Sequence, residues 1–290
     1  MDFSNPFTLT RTILDKEYKK GKDTYVYHYT TGAGLKGIIM NHELWLSQRE
    51  YMNDVKEYEY AKKTITENLK QRFQDEKESI LKKYDISFEE FSNQFIFSTS
   101  TEEDLISMWS YYSQADDSYC IRFSRKKLIN YLGDLFDWDE NYFYGSLFYK
   151  EDEIKKFIFD VFDDQIYTDI FEASEKDISN NKDYQANIRT AIKYIFSLIK
   201  QFGHYSEKEY RFSIEETDLR KIDFEAKRGL LVPTLKVALE KPLPIDTIYI
   251  GPNCNENQEA IMIHSLKQLL EKGKYNPEKI RIVKSKLLIR

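Results

Sequence analysis

The chain has little of what cross-links or punctuates a fold: two Cys, six Pro, ten Gly and four His among 290 residues. Cys120 and Cys254 form neither a CxxC pair nor a framework, so disulfides do not hold the fold and a reducing compartment is expected. With few Gly and Pro, turns are sparsely marked and long helices are expected. No His lies at metal-ligand spacing from another His or a Cys. His42-Glu43 begins an HExxH-like string, but Leu46 stands where the second histidine belongs, so no metal is expected. GxGxxG, GxxxxGK[ST] and GxSxG are also missing, which removes the fingerprints of the dinucleotide fold, the P-loop and the α/β-hydrolases. No apolar run approaches the roughly 18–20 residues that cross a bilayer. The first residues lack a basic stretch followed by an apolar one, so no secretory signal is read and a cytoplasmic protein is expected.

What is abundant is charge and aromatic surface. Charged residues make up 32% of the chain, against about 25% in ordinary domains, and 22 Tyr, 19 Phe and 3 Trp argue against disorder. A net charge of −6 opposes bulk attraction to nucleic acid or anionic lipid. Residues 271–290 carry seven Lys/Arg and two Glu, a local basic run that could meet phosphates.

Neither a repeat nor a low-complexity linker interrupts the chain, so a single domain over 1–290 is expected. Strand formers fill Thr24–Thr30, and Gly34–Met40 reads as a helix before a second strand, Leu44–Ser47. Val55–Tyr84 has amphipathic helical spacing. Gln94–Ser98 reads as a strand, Leu105–Tyr112 as a helix, Ser118–Phe123 and Tyr142–Tyr149 as strands. Two helical patterns follow within Asp152–Lys200, with a polar break at Ser179–Asp183. Strands at Glu209–Ile214, Lys221–Glu225, Leu230–Leu239 and Thr247–Ile250, a helix Glu256–Lys272 and a strand Lys279–Lys284 complete an α+β pattern. The excess length falls into helical insertions at about 55–90 and 152–200. The second, acidic and aromatic at once, is the expected partner surface.

Three segments stand out. In Tyr27-His28-Tyr29-Thr30 strand alternation sets His28 and Thr30 on the face opposite Tyr27 and Tyr29. Phe97-Ser98-Thr99-Ser100 ends a strand, with Trp109 and Tyr112 on the next helix. In Glu207-Lys208-Glu209-Tyr210-Arg211-Phe212, read as one strand, Glu207, Glu209 and Arg211 share a face, where adjacent carboxylates raise a pKa unless a cation offsets them. Each has an ordinary explanation when taken singly: a hydrogen-bonded structural histidine, a helix cap, a solvated ion pair.

Together with Gly34-Leu35, Leu44-Trp45-Leu46-Ser47, Asn53-Asp54, Met108-Trp109-Ser110-Tyr111-Tyr112 and Ile250-Gly251-Pro252, these segments closely resemble, in order, a widespread bacterial family of unknown function. The layout is similar, more distantly, to the ADP-ribosyltransferase superfamily. That resemblance implies a split mixed or antiparallel sheet with flanking helices, in which three strands carry His or Arg, then Ser/Thr or Tyr, then Glu. It places His28 first, Ser98-Thr99-Ser100 second and Glu207-Lys208-Glu209 third, although a Ser-Thr-Ser string is usually paired with Arg in the first position. It implies NAD as co-substrate, with Glu209 stabilising the oxocarbenium ion formed as the nicotinamide–ribose bond breaks. His28 would bind a ribose hydroxyl, Tyr29 and Thr30 would line the cofactor site, and Ser98 or Ser100 would orient Glu209. Tyr29 or Tyr112 would stack on nicotinamide, and Glu207 would position the acceptor.

The implied function is an NAD-dependent ADP-ribosyltransferase acting on a protein or nucleic acid, RNA included, in the manner of a bacterial toxin or phage-defence effector with a neutralising, antitoxin-like partner. A non-catalytic nucleotide- or partner-binding module and an NAD glycohydrolase remain open beside it.

Overall fold

The computed structural model describes residues 18, 24–52, 56–72, 87–88, 93–112, 117–139, 141–162, 182–227, 229–238, 240–254 and 256–287. Along them run β1 (Tyr25–Thr30), α1 (Gly32–Asn41), β2 (Glu43–Gln48), α2 (Glu57–Arg72), β3 (Gln94–Ser100), α3 (Ile106–Tyr112), β4 (Tyr119–Ser124) and α4 (Arg125–Leu135). There follow β5 (Phe143–Ser146), α5 (Glu151–Phe162), α6 (Lys182–Ser197), β6 (Glu209–Glu215), β7 (Ile222–Lys227), β8 (Leu230–Ala238), β9 (Ile245–Ile250), α7 (Glu256–Lys272) and β10 (Arg281–Lys284). The strands form one open mixed sheet in the order β10-β9-β4-β1-β3-β2-β8-β7, with β6 and β5 branching from β3. Only β9 and β10 pair in parallel.

The branch at β3 positions everything that follows. One edge of β3 is paired along its whole length with β6, from Gln94↔Glu215 to Ser100↔Glu209. The other edge is shared: β1 pairs there through Tyr27↔Ser100, and β2 through Ser47↔Ile96 and Gln48↔Phe95. Both neighbours run antiparallel to β3, so each would cover residues 97–99 if it continued, and they part instead. β1 turns away with β4, and β2 with β8. A wedge opens beside Phe97, Ser98 and Thr99.

The two faces are buried differently. Val26, Phe97, Phe212, Ile121 and Ile248 point to one face, under Leu35 and Ile39 of α1, Leu128 and Leu132 of α4, and Leu266 and Leu270 of α7. The opposite face lies under α2, α5 and α6, whose Ile65, Phe157, Ile158, Ile192 and Phe196 form a second apolar cluster with Phe143. Under α3, Tyr27, Tyr29, Trp109 and Tyr249 form a third.

The sheet positions expected from alternation hold, with three differences. No element was expected at α4, because its basic opening, Arg125-Lys126-Lys127, and its Gly133 speak against a helix; buried Leu128, Ile129, Tyr131 and Leu132 outweigh them. The two insertions pack against each other as one helical layer, through α2, α5 and α6. The aromatics expected to meet a partner are part of that core, for Phe157, Phe162, Tyr194 and Phe196 are buried, while Glu151 and Asp152 face solvent. The parts of the insertions at 73–86, 89–92 and 163–181 lie outside the described residues. Among the described residues no helix is long and apolar enough to cross a membrane.

Candidate functional site

β6 alternates Glu209, Arg211 and Ser213 on one face with Tyr210, Phe212 and Ile214 on the other. Its neighbour β3 alternates Ile96, Ser98 and Ser100 with Phe95, Phe97 and Thr99. The register sets Ser98 opposite Arg211 and Ser100 opposite Glu209, so the polar sets of both strands share one face. That face is the one covered by α2 and α6. Charge there is sealed in: Glu209 is 4% exposed and Arg211 0%.

Isolated charges in such a place would be very costly, and pairing with full hydrogen bonding offsets the cost. Glu209 Oε1 accepts from Ser98 Oγ at 2.6 Å and from Arg211 Nε at 2.6 Å. Its Oε2 accepts from Lys200 Nζ at 2.9 Å and Arg211 Nη2 at 3.1 Å. The Glu209 backbone N–H donates to Tyr149 Oη at 2.8 Å. Arg211 also forks onto Glu57, Nη1 to Oε1 at 2.6 Å and Nη2 to Oε2 at 2.8 Å. Arg49 approaches Glu57 at 3.1 Å, donates to the Phe196 carbonyl at 2.6 Å and lies over the Phe196 ring. Lys200 donates to Glu207 Oε2 at 2.8 Å, and His204 Nδ1 meets Glu207 Oε1 at 2.8 Å. Three carboxylates, Glu57, Glu207 and Glu209, thus balance three cations, Arg49, Lys200 and Arg211.

Burial by itself would push the Glu209 carboxyl up. The Arg211 guanidinium, the Lys200 ammonium and the hydrogen bonds from Arg211 and Ser98 outweigh it and hold the group well below the usual carboxylate range. Glu57 is lowered in the same way, burial opposed by Arg211, Arg49 and Lys200. Burial pulls Arg49 down to about 10, only partly countered by Glu57. Glu209 is therefore a fixed negative charge and a poor proton carrier, which suits it to stabilise a cation.

The residues singled out in the sequence fall into place unevenly. Ser98 and Glu209 meet directly. His28 reaches the same strand from the wedge: its Nδ1 lies 3.0 Å from the Ser98 carbonyl, at the stretch of β3 edge that β1 and β2 leave uncovered. Its ring packs beside Phe97, 4.5 Å between centroids, so it lies on the face opposite Glu209, and the two are linked only through Ser98. Thr30 shares the His28 face. Ser100 lies opposite Glu209, but its hydroxyl donates to the Glu207 carbonyl at 2.9 Å. Tyr29 is buried against Trp109, rings 4.9 Å apart and edge-on, and its hydroxyl accepts the Leu105 N–H. Tyr112 ends α3, and its side chain lies outside the described residues.

Glu207 is not on the strand. It closes a short 3₁₀ turn, Phe202–Glu207, and Lys208 takes the left-handed conformation, φ 47°, before β6 begins. Glu207 and Glu209 nevertheless converge on Lys200.

Arg49, Glu57 and Lys200 were not foreseen. In the sequence they are ordinary charges in charged stretches, and the one available signal was the Asn53-Asp54 motif just before Glu57. Among the described residues no group of three or more His, Cys, Asp or Glu side chains is arranged to hold a metal ion.

No curated protein and no solved structure matches the chain. Residues 108–212, which include Lys200, Glu207, Glu209 and Arg211 but not His28, Ser98 or Glu57, match the model of a family described as protein of unknown function (DUF2971).

Proposed function

We propose that the protein is an NAD-dependent ADP-ribosyltransferase-like enzyme whose site lies where β1 and β2 part along β3. The observation that carries this reading is the 2.6 Å hydrogen bond from Ser98 to Glu209, made between two of the three adjacent strands on which the resemblance calls for Ser and Glu. As the bond from ribose C1′ to the nicotinamide nitrogen breaks, positive charge develops on the ribose ring. A carboxylate already ionised, and held by Ser98, Arg211 and Lys200, stabilises that charge without reorganising. His28 and Ser98 sit at the wedge, where the two faces of the sheet communicate, and His28 is placed to meet a ribose hydroxyl there. A macromolecule, protein or nucleic acid, would take the ADP-ribose, and a toxin- or defence-like role with a neutralising partner belongs to the same reading.

A second reading has its own support. Both oxygens of Glu209 are occupied by cations and the residue is 4% exposed, which suits a non-catalytic module that binds a nucleotide without turning it over.

Adenylate-labelled NAD incubated with the full chain and cell extract separates the readings. Nicotinamide release with label in a macromolecule supports transfer. Release without labelled macromolecule supports hydrolysis, and binding without release supports the module. Glu209→Gln leaves Arg211 and Lys200 undercompensated, so the informative variant is Glu209→Asp, which keeps the charge and withdraws the carboxylate. Release slower by about 10²–10³, with folding retained, is the expected result; release at the parental rate would sink the assignment.

A further inference from the structure

The buried cluster reaches the surface through one side chain. In the turn Phe202–Glu207, His204 sets Nδ1 2.8 Å from Glu207 Oε1. The Glu207 side chain is 10% exposed and that of His204 32%. An ionised carboxylate can only accept, so Nδ1 carries the proton and Nε2 is the basic nitrogen of the neutral ring. Once Nε2 takes a proton, the same carboxylate faces the imidazolium and stabilises it. A base oriented by a third group in this way is a recurrent arrangement for activating a nucleophile.

The dyad is wired to Glu209. A single ammonium, Lys200 Nζ, donates to Glu207 at 2.8 Å and to Glu209 at 2.9 Å. Other charged groups around the turn are Lys208 and Lys150, at 3.3 and 5.6 Å from the Tyr205 ring, and Glu153, paired with Lys150. α3, which also packs on the turn, carries no charged residue and meets it through Ser107 Oγ and the Ser206 carbonyl.

Glu209, held ionised, takes no part in moving a proton, so the acceptor's proton needs another destination. Resting on the transfer reading above, we infer that His204, oriented by Glu207, is the catalytic base that deprotonates the acceptor. The acceptor is then a neutral protic nucleophile, a hydroxyl, an N–H or water, and not a thiolate or carboxylate. Its oxygen or nitrogen forms a bond to C1′ while the C1′–N bond to nicotinamide breaks. The electron pair of that bond neutralises the pyridinium nitrogen, and the acceptor's proton passes to His204 Nε2. Positive charge thus leaves the nicotinamide and ends on an imidazolium facing Glu207.

The test uses the full chain, adenylate-labelled NAD and cell extract from pH 5 to 9, with nicotinamide release and label transfer both followed. The parent is expected to gain rate from acid to neutral pH, the range in which histidine changes charge. His204→Gln should lower transfer by about 10²–10⁴ and remove that limb. His204→Ala should recover part of the rate when imidazole is added, a response that a merely structural histidine would not give. If His204→Gln keeps the parental rate and limb, or folded His204→Ala gains nothing from imidazole while the parent is active, this inference falls and the Glu209 reading stands. A parent that releases no nicotinamide at any pH overturns both.

Discussion

The two faces of β6 are equally dry and chemically opposite. Tyr210, Phe212 and Ile214 join the largest apolar cluster, while one residue along at each step Glu209, Arg211 and Ser213 are just as buried. The apolar face gains from every atom removed from water and is indifferent to the exact partner. The charged face gains little net stability from burial and depends on each partner being present. Removing one member should therefore do different things on the two sides.

The largest effect is expected from Arg211→Met, which leaves Glu57 and Glu209 facing each other with one guanidinium fewer. A loss of about 3–5 kcal/mol in urea unfolding at pH 7 is expected. Phe212→Ala should cost a similar 3–5 kcal/mol through its cavity. pH separates them. Without Arg211 the two buried carboxyls are raised, the folded state takes up protons before the unfolded one does, and the deficit shrinks from pH 7 to pH 5. The Phe212→Ala deficit should stay constant, and parallel curves for the two variants would remove the distinction between the faces.

Acid acts on the parent with the opposite sign. Glu57 and Glu209 are held below their unfolded values, so the stability they contribute is fully present above about pH 4.3, the ordinary glutamate value, and is lost as pH falls through the folded values. Unfolding midpoints between pH 6 and pH 3 measure this, and Phe212→Ala should show the same slope as the parent. A smaller effect, about 1.5–3 kcal/mol, is expected for Ser98→Ala, which removes one hydrogen bond to a charged oxygen and, on the proposed reading, slows nicotinamide release as well. The smallest, about 1 kcal/mol, is expected from Thr31→Ala, which touches neither face but removes the cap whose oxygen accepts the Gly34 N–H at the start of α1.

The same asymmetry explains what could be read without coordinates. Alternation in QFIFSTS and EYRFSIE reveals two strands and which residues share a face, because the side-chain period of a strand is local. It does not reveal that both faces are covered. Glu209 and Arg211 were legible as a pair, whereas Arg49, Glu57 and Lys200 come from three other segments, and their convergence is a property of the tertiary fold. Lys200 illustrates the difficulty: nothing in Leu198-Ile199-Lys200-Gln201 distinguishes it from a solvated lysine, yet a bridge between Phe148 and Ile199 anchors its backbone inside. Glu207 was misplaced onto the strand because a left-handed Lys208 leaves no mark in the sequence.

The shared edge of β3 has a mechanical side. Between the four strands β10, β9, β4 and β1 and the remaining six, the backbone ladder is one residue pair long, Tyr27 with Ser100. Elsewhere in the sheet, prying neighbouring strands apart means breaking a run of bonds together. Here a single stitch holds the seam, so the halves can part or shear along it with the rest of either ladder intact, and His28 is stationed at the end of that stitch.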